Sequence, residues 1–197
     1  MKNHKKLLLL IFGILICISL FFIVQIYAKY LTSASGNTSL KIARWNIIVN
    51  NLSIKDNSDI STSIVPTFVE NSNISSDIIA PTSEGYFDLD FDFSDADVSF
   101  IYEITTSVDS QSSVSDLVAT GYSVDDGQKI DFANFNDPIS DTILLDSGIQ
   151  KRKIRVYILW NDDDATQSMS NADDTASAIS DNPAILHVNI AFTQITE

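Results

Sequence analysis

The stretch YFDLDFDF, residues 86–93, decides the fold of this chain. Its apolar residues stand at every second position, and aspartates stand between them. Successive side chains of a β-strand point to opposite faces, whereas on a helix these aspartates would spread around the cylinder. The stretch therefore predicts a strand with one face in a core (Phe87, Leu89, Phe91, Phe93) and the other face in water (Asp88, Asp90, Asp92).

Shorter runs of alternating or β-branched residues extend this pattern along the chain. Between two of them, Asp126-Gly127 predicts a hairpin with a type I′ turn, which needs positive φ at both central residues. The acidic loop Asn161–Asp181 carries a predicted helical turn near Thr175–Ile179. The whole pattern predicts an all-β fold, an antiparallel jelly-roll-like β-sandwich. Its further strands are expected at Leu40–Val49, Ser63–Val69, Val98–Val108, Leu117–Val124, Lys129–Phe132, Thr142–Leu145, Lys153–Trp160 and Ala184–Ile195.

One N-terminal segment, Leu7–Ala28, has 22 consecutive residues without a formal charge. About 20 apolar residues match a ~30 Å hydrocarbon core, and the lysines before the segment favour a cytoplasmic N-terminus. The sequence therefore predicts membrane contact through Leu7–Ala28 and a single-pass protein with an extracellular C-terminal domain. A signal segment cleaved near Thr32–Ala34, which would release a secreted protein, stays open as the alternative. The expected organisation is an anchor or signal at 1–29, a tether or donor-strand segment at 30–39 and a β-sandwich domain at 40–197.

The composition of the exported part restricts its partners. It carries eight basic and 26 acidic residues, a formal charge of −18. This charge repels nucleic acid, so we expect no nucleic-acid partner. The single cysteine, Cys17, lies inside the apolar segment, so the domain has no internal disulfide and is stabilised by burial. The basic cluster Lys151–Lys153 with Arg155 predicts local charge balance, with contact to an acidic neighbour as the alternative.

Three short patterns, in this order along the chain, resemble the TasA/camelysin family of exported proteins of Gram-positive bacteria. A small-residue stretch precedes a strand that contains Ala43-Arg44-Trp45. An Ile-x-Pro turn leads into the acidic strand, although Thr82 stands where the family more often has glycine. An acidic loop precedes the last strand. The matching residues are Lys29–Gly36 with Leu40–Asn50, Ile79–Pro81 with Gly85–Leu89, and Trp160-Asn161 with Asn171–Ala176 and Ile185–Thr193.

The resemblance implies a jelly-roll domain of the cell surface or the extracellular matrix. Some relatives assemble into biofilm fibres in which a strand of one subunit completes the sheet of the next. The resemblance makes Tyr30–Leu40 the candidate donor strand here. An open sheet edge offers unpaired N–H and C=O groups, which is why strand addition works.

Enzyme chemistry is not expected, and no catalytic or cofactor-binding residue is predicted. Camelysin has been described as a metallopeptidase, but catalytic zinc takes three protein ligands, commonly histidines. This chain has only His4 and His187, and it has no H-E-x-x-H motif. A serine triad would have to use His187, and no G-x-S-x-G motif is present.

The acidic loop is the one candidate metal site. Ca²⁺ takes six to eight oxygen ligands, and the loop offers Asp162, Asp163, Asp164, Asp173 and Asp174. Their spacing does not match an EF-hand, so a solvated acidic loop is the competing interpretation.

The leading functional prediction is a non-enzymatic structural protein for assembly, adhesion or scaffolding. The alternatives are an extracellular binding module for Ca²⁺ or glycan, and a pseudopilin-like subunit. The last is set aside because Leu7–Ala28 contains no acidic residue near the start of its helix.

Overall fold

The computed structural model describes residues 2–30, 41–55, 59–69, 73–75, 78–180 and 182–196. The chain divides into two compact units, Met1–Lys41 and Ile42–Glu197. The first contains helix α1 (Lys2–Tyr30), whose stretch His4–Phe22 is long and apolar enough to cross a membrane. A signal sequence near an N-terminus passes the same test of length and composition. The helix is therefore typical of a membrane span or of a signal sequence.

The second unit consists mainly of antiparallel sheet, which confirms the predicted fold class at this level. Its described residues form ten strands and one short helix. They are β1 (Trp45–Val49), β2 (Leu52–Ser53), β3 (Thr67–Phe68), β4 (Glu84–Ala96), β5 (Phe100–Val108), β6 (Leu117–Val124), β7 (Ile130–Asp131), β8 (Ile139–Ile143), β9 (Lys151–Trp160), α2 (Asn171–Ile179) and β10 (Leu186–Gln194).

Two sheets contain these strands. In the described residues the larger sheet has the order β2-β1-β4-β9-β6-β7, and β3 also pairs with β4. The smaller sheet has the order β10-β5-β8. The inward faces of both sheets contribute to one core, so the arrangement is that of a sandwich.

The core forms around the apolar face of β4, as the alternation in residues 86–93 predicts. Phe87, Leu89, Phe91 and Phe93 are all buried. Their rings meet the smaller sheet edge to face: the Phe91 and Tyr102 ring centroids are 5.5 Å apart, and those of Phe93 and Phe100 are 5.0 Å apart. Such aromatic pairs add directional contacts to the area that they bury, so β4 fixes how the sheets are stacked.

The acidic face of β4 differs from the prediction. Two of its aspartates meet basic side chains of β9 rather than water alone. Arg155 donates two hydrogen bonds to Asp88, at 2.7 and 2.8 Å, and Lys151 Nζ lies 2.9 Å from Asp92 Oδ2. The bonds from Arg155 lower the pKa of Asp88. The Ser94 hydroxyl, helped by the Ser94 N–H and Lys151, lowers the pKa of Asp92 to about 2.

Several boundaries also differ from the predictions. The first strand begins at Trp45, because Arg44 turns aside to bind Asp97 through its backbone N–H and its guanidinium. The hairpin turn has positive φ at Asp125 and Asp126, so it begins one residue before the predicted Asp126-Gly127 pair. The strand predicted at Thr142–Leu145 is β8, Ile139–Ile143, and the chain then enters a 3₁₀ turn at Leu145–Ser147.

The acidic loop contains a longer helix than the predicted turn. Helix α2 begins at Asn171 because Ser170 and Asp173 form a capping box, in which the Ser170 side chain accepts from the Asp173 N–H. The reciprocal bond, from the Ser170 N–H to Asp173 Oδ2, is 3.0 Å long. It lowers the pKa of Asp173.

Candidate interaction groove

An apolar groove of about 900 Å³ lies between the two sheets on one flank of the sandwich. Its floor is formed by Phe87, Leu117 and Ile158 of the larger sheet. Its wall on the smaller sheet is β10, whose inward side chains are half-buried: Leu186, Val188, Ile190 and Phe192. A row of apolar side chains at every second position is the surface that the alternate residues of another strand can cover.

The outer edge of β10 faces this groove without a partner strand in the described residues. The Asp109 N–H donates to the Ile185 carbonyl, and the Ile195 N–H donates to the Ser99 carbonyl, both at 3.0 Å. Residues of an antiparallel pair alternate between bonding to the partner strand and pointing away from it. The odd-numbered residues of β10 therefore bond to β5. The even-numbered ones, which also line the groove, direct their backbone N–H and C=O groups to the free edge.

The opposite wall of the groove is made from short segments along one edge of β4. Phe68 of β3 packs so closely on Gly85 that an added Cβ would lie 2.7 Å from the ring. Between β1 and β3 the Asn50 side chain takes the place of a strand: it accepts from the Asp90 N–H at 2.7 Å and donates to the Asp88 carbonyl at 3.2 Å. The wall is thus well bonded to β4 although its strands are only two to five residues long.

One end of the groove is bounded by the loop that leads into β10. Asp116 is buried and accepts from the Met169 N–H at 2.6 Å and from the Ser168 N–H at 2.8 Å. Burial raises the pKa of Asp116, but these bonds and one from the Ser168 hydroxyl outweigh it and leave the pKa below its usual value. The buried Asp174 of α2 accepts from Trp160 Nε1 at 3.2 Å. The two aspartates hold the loop in place.

The other flank of the sandwich is closed. The chain between β7 and β8 crosses from the larger to the smaller sheet there. Asn136 Oδ1 accepts from the Ala119 N–H of β6 at 2.8 Å and lies 3.2 Å from the Thr106 hydroxyl of β5. Arg152, on the inward face of β9, has its Nη1 3.3 Å from Asp141 Oδ2 of β8. Both side chains join one sheet to the other.

Four of the five aspartates predicted as calcium ligands accept hydrogen bonds within the domain. Asp163 accepts from the Ala165 N–H at 2.9 Å, and Asp164 accepts from Gln167 Nε2 at 3.0 Å. Asp173 belongs to the cap of α2, Asp174 binds Trp160, and Asp162 is half-buried. Within the described ranges no group of three or more His, Cys, Asp or Glu side chains is placed to hold a metal ion. Calcium binding by this loop stays a prediction.

The remaining predicted residues fall in two places. His187 lies on β10 opposite Ser107, on the exposed face of the smaller sheet. The basic cluster is paired within the domain: Lys151 with Asp92, Arg152 with Asp125 and Asp141, Lys153 with Asp88 and Asp126, and Arg155 with Asp88.

Sequence reasoning missed the groove and the closing contacts of Arg152 and Asn136. One signal for Arg152 was present, because it has the same parity along β9 as the buried Ile154 and Val156. No local pattern marks β10 as an edge, because strand order is set by contacts between distant residues. Comparisons with protein-family models, with curated proteins and with solved structures find no match to this chain.

Proposed function

We propose that this chain is a non-enzymatic structural protein of the cell surface or extracellular matrix that assembles by strand addition at the groove. The observation that carries the proposal is the outer edge of β10, which has no partner strand among the described residues and lies beside a row of half-buried apolar side chains. An added strand would receive backbone hydrogen bonds from the edge and bury its alternate side chains against Val188 and Ile190. The TasA-like resemblance and the jelly-roll connectivity that it implies belong to this proposal.

The cellular location of the protein is part of the same proposal. Helix α1 contains the stretch His4–Phe22, which has the length and composition of a span, and the domain that follows is strongly acidic. We propose that the helix is retained as a single-pass anchor and that the domain lies outside the cell. Cleavage as a signal near Thr32–Ala34 would release the same domain into the matrix with a donor segment shortened to the residues after the cleavage point.

The donor in this proposal is the segment Tyr30–Leu40 of a second copy. Apart from Tyr30, it lies outside the described residues. Its sequence, YLTSASGNTSL, is uncharged, so it brings no ion that would have to be buried in an apolar groove. Deletion of Leu31–Leu40 should therefore abolish assembly while the rest of the domain stays folded.

The sharpest test of the proposal places a charge inside the groove. Val188→Lys puts an ammonium among the apolar side chains of the edge strand, where it opposes strand addition. Ala191→Lys makes the same charge change three residues along, on the exposed face of β10 and outside the lining of the groove. We expect Val188→Lys to prevent fibre formation, measured by electron microscopy and sedimentation against protein concentration. Ala191→Lys should assemble like the parent chain.

Two results would contradict the proposal. Val188→Lys that is folded by circular dichroism and still forms fibres would show that the groove is not used. A parent chain that remains monomeric at all concentrations, with or without its membrane, would remove the assembly role itself.

A further inference from the structure

The smaller sheet has a second edge, which β8 forms on the closed flank. Among the described strands, β5 is the one partner of β8. Ile139, Asp141 and Ile143 lie opposite even-numbered residues of β5, and it is the odd-numbered residues of β5 that bond to β10. Backbone bonds alternate along an antiparallel pair, so Ser140 and Thr142 direct their N–H and C=O groups away from β5. This edge therefore also presents backbone groups to which a strand could be added.

The side chain of Asp141 already occupies part of this edge. Its Oδ1 accepts from the Thr142 N–H at 2.7 Å, and Thr142 is one of the two residues whose backbone faces outward. Its Oδ2 lies 3.3 Å from Nη1 of Arg152 in the larger sheet, which holds the carboxylate in place. One outward-directed N–H donor of β8 is thus bonded within the chain.

Asp141 also places a negative charge on the inward face of an edge strand. It has the same parity along β8 as the buried Ile139 and Ile143, and it is itself exposed. An added strand would have to cover this carboxylate with its own inward side chains, and burial of a charge is costly unless it is fully paired. Inward-pointing charges are one of the devices that prevent edge-to-edge pairing of sheets.

The other edge of the same sheet, β10, carries no such charge. Its nine residues, LHVNIAFTQ, include no Asp, Glu, Lys or Arg. Its inward side chains in the groove, from Leu186 to Phe192, are all apolar. The two edges of the smaller sheet therefore differ in chemistry, since an acid obstructs β8 and nothing comparable obstructs β10.

We propose that Asp141 is a specificity-determining residue that prevents strand addition at β8, so that each sandwich accepts a strand at β10 alone. The second half of this inference rests on the proposed assembly through the groove. With one accepting edge in each subunit, every copy takes up one strand, and a fibre grows without branches. The block at β8 itself depends only on the contacts of Asp141.

The experiment removes the carboxylate while pairing at β10 is opposed. It uses the full chain in detergent micelles with Val188→Lys as the background. Asp141→Val on this background releases the Thr142 N–H and removes the inward charge, while Arg152 keeps its ion pair with Asp125. We expect this chain to form dimers or larger species in sedimentation velocity, and we expect the amide hydrogens of β8 to exchange more slowly as these species form.

The matched control is Glu103→Val on the same background. Glu103 lies opposite Ser140 on the exposed outward face of β5, so the substitution makes the same change in charge and polarity without opening the edge of β8. The control chain should sediment like the background chain, with unchanged exchange in β8.

Three results would overturn the block at β8. One is an Asp141→Val chain that is folded by circular dichroism and sediments like its background. The second is association without slower exchange in β8, and the third is equal association of the Glu103→Val control. Fibres of the Val188→Lys chain itself would contradict assembly through β10. The block would then be decided by exchange within those fibres: slower exchange in β8 would overturn it, and unchanged exchange would support it.

Discussion

The two flanks of the sandwich differ although one row of isoleucines runs between them. Ile190 of β10, Ile104 of β5 and Ile139 of β8 are direct neighbours in register across the smaller sheet. Ile139 is 3% exposed and lies under the crossing chain, whereas Ile190 is half-buried at the mouth of the groove. Isoleucines in the same row of the smaller sheet are therefore fully buried on one flank and only half-buried on the other.

The difference shows that the described residues cover the core fully on one flank and only partly on the other. On the closed flank Asn136 accepts from the Ala119 N–H of the larger sheet, and Arg152 pairs with Asp141 of the smaller one, so side chains link the sheets beside the edge strand β8. On the open flank, no described part of the chain covers the outer backbone edge of β10, and its inward apolar side chains stay half-exposed. An edge of this kind invites unwanted pairing unless it has a dedicated partner.

The largest expected effect separates the flanks by one substitution. Ile139→Ala should lower the free energy of unfolding by about 2–4 kcal/mol, because it leaves a cavity in a packed site. Ile190→Ala should cost about 1 kcal/mol in the monomer, because its side chain is already partly in water. Urea unfolding of both variants measures this difference. Equal losses would mean that the open flank is packed as well as the closed one.

A smaller effect is expected for the closing loop. Asn136→Ala leaves the Ala119 N–H without its acceptor and places an ordinary side chain at φ of 61°, so we expect a loss of about 2 kcal/mol. Asn134→Ala, an exposed position in the same loop, is the control and should change stability by less than about 0.5 kcal/mol. If the two variants unfold alike in urea, Asn136 does not hold this flank closed.

The smallest effect concerns the outer face of β4, which belongs to neither flank. Asp88 and Asp92 have lowered pKa values in the folded chain, so their stabilisation is complete above the unfolded pKa of 3.8 and is lost as the pH falls toward 2. Asp88→Asn should cost about 1 kcal/mol at neutral pH and flatten the loss of stability in acid. Thermal unfolding between about pH 5 and about pH 2 measures it. Asp90→Asn, on the same face, is the control, and a slope equal to that of Asp88→Asn would contradict this account.

The strand faces could be predicted from the sequence because they depend on local alternation. Residues 86–93 and 154–160 have the burial that their period of two requires. The partners of Asp88 could not be predicted in the same way, because they depend on the register between β4 and β9, and Asp88 and Arg155 are 67 residues apart in the sequence. Register is fixed by the packing of whole faces rather than by any short motif.

The candidate site was predictable only in part. The strand that forms the groove wall was recognised, but its position at the edge of the smaller sheet comes from pairing with β5 alone. The full length of α2 was within reach, because Ser170-x-x-Asp173 is a capping pattern visible in the sequence. The hydrogen bonds of Asp116 could not be predicted, because their donors, the N–H groups of Ser168 and Met169, lie 52 and 53 residues away in a loop without periodicity.

The Asn50 amide has a consequence for how this domain can vary. The Asn50 side chain forms hydrogen bonds with the backbone of Asp88 and Asp90. These bonds satisfy the edge of β4 between the end of β1 and the start of β3. The hydrogen bonds along this edge of β4 therefore do not require a particular length of the connection between Ile54 and Thr67. We expect an insertion, such as an epitope or a fused peptide, to leave the sheet unchanged if it enters between Lys55 and Asp59, ahead of Ile60 and Ile64, which pack against the core, and of Ser63, whose carbonyl accepts from the Asn50 amide at 3.0 Å.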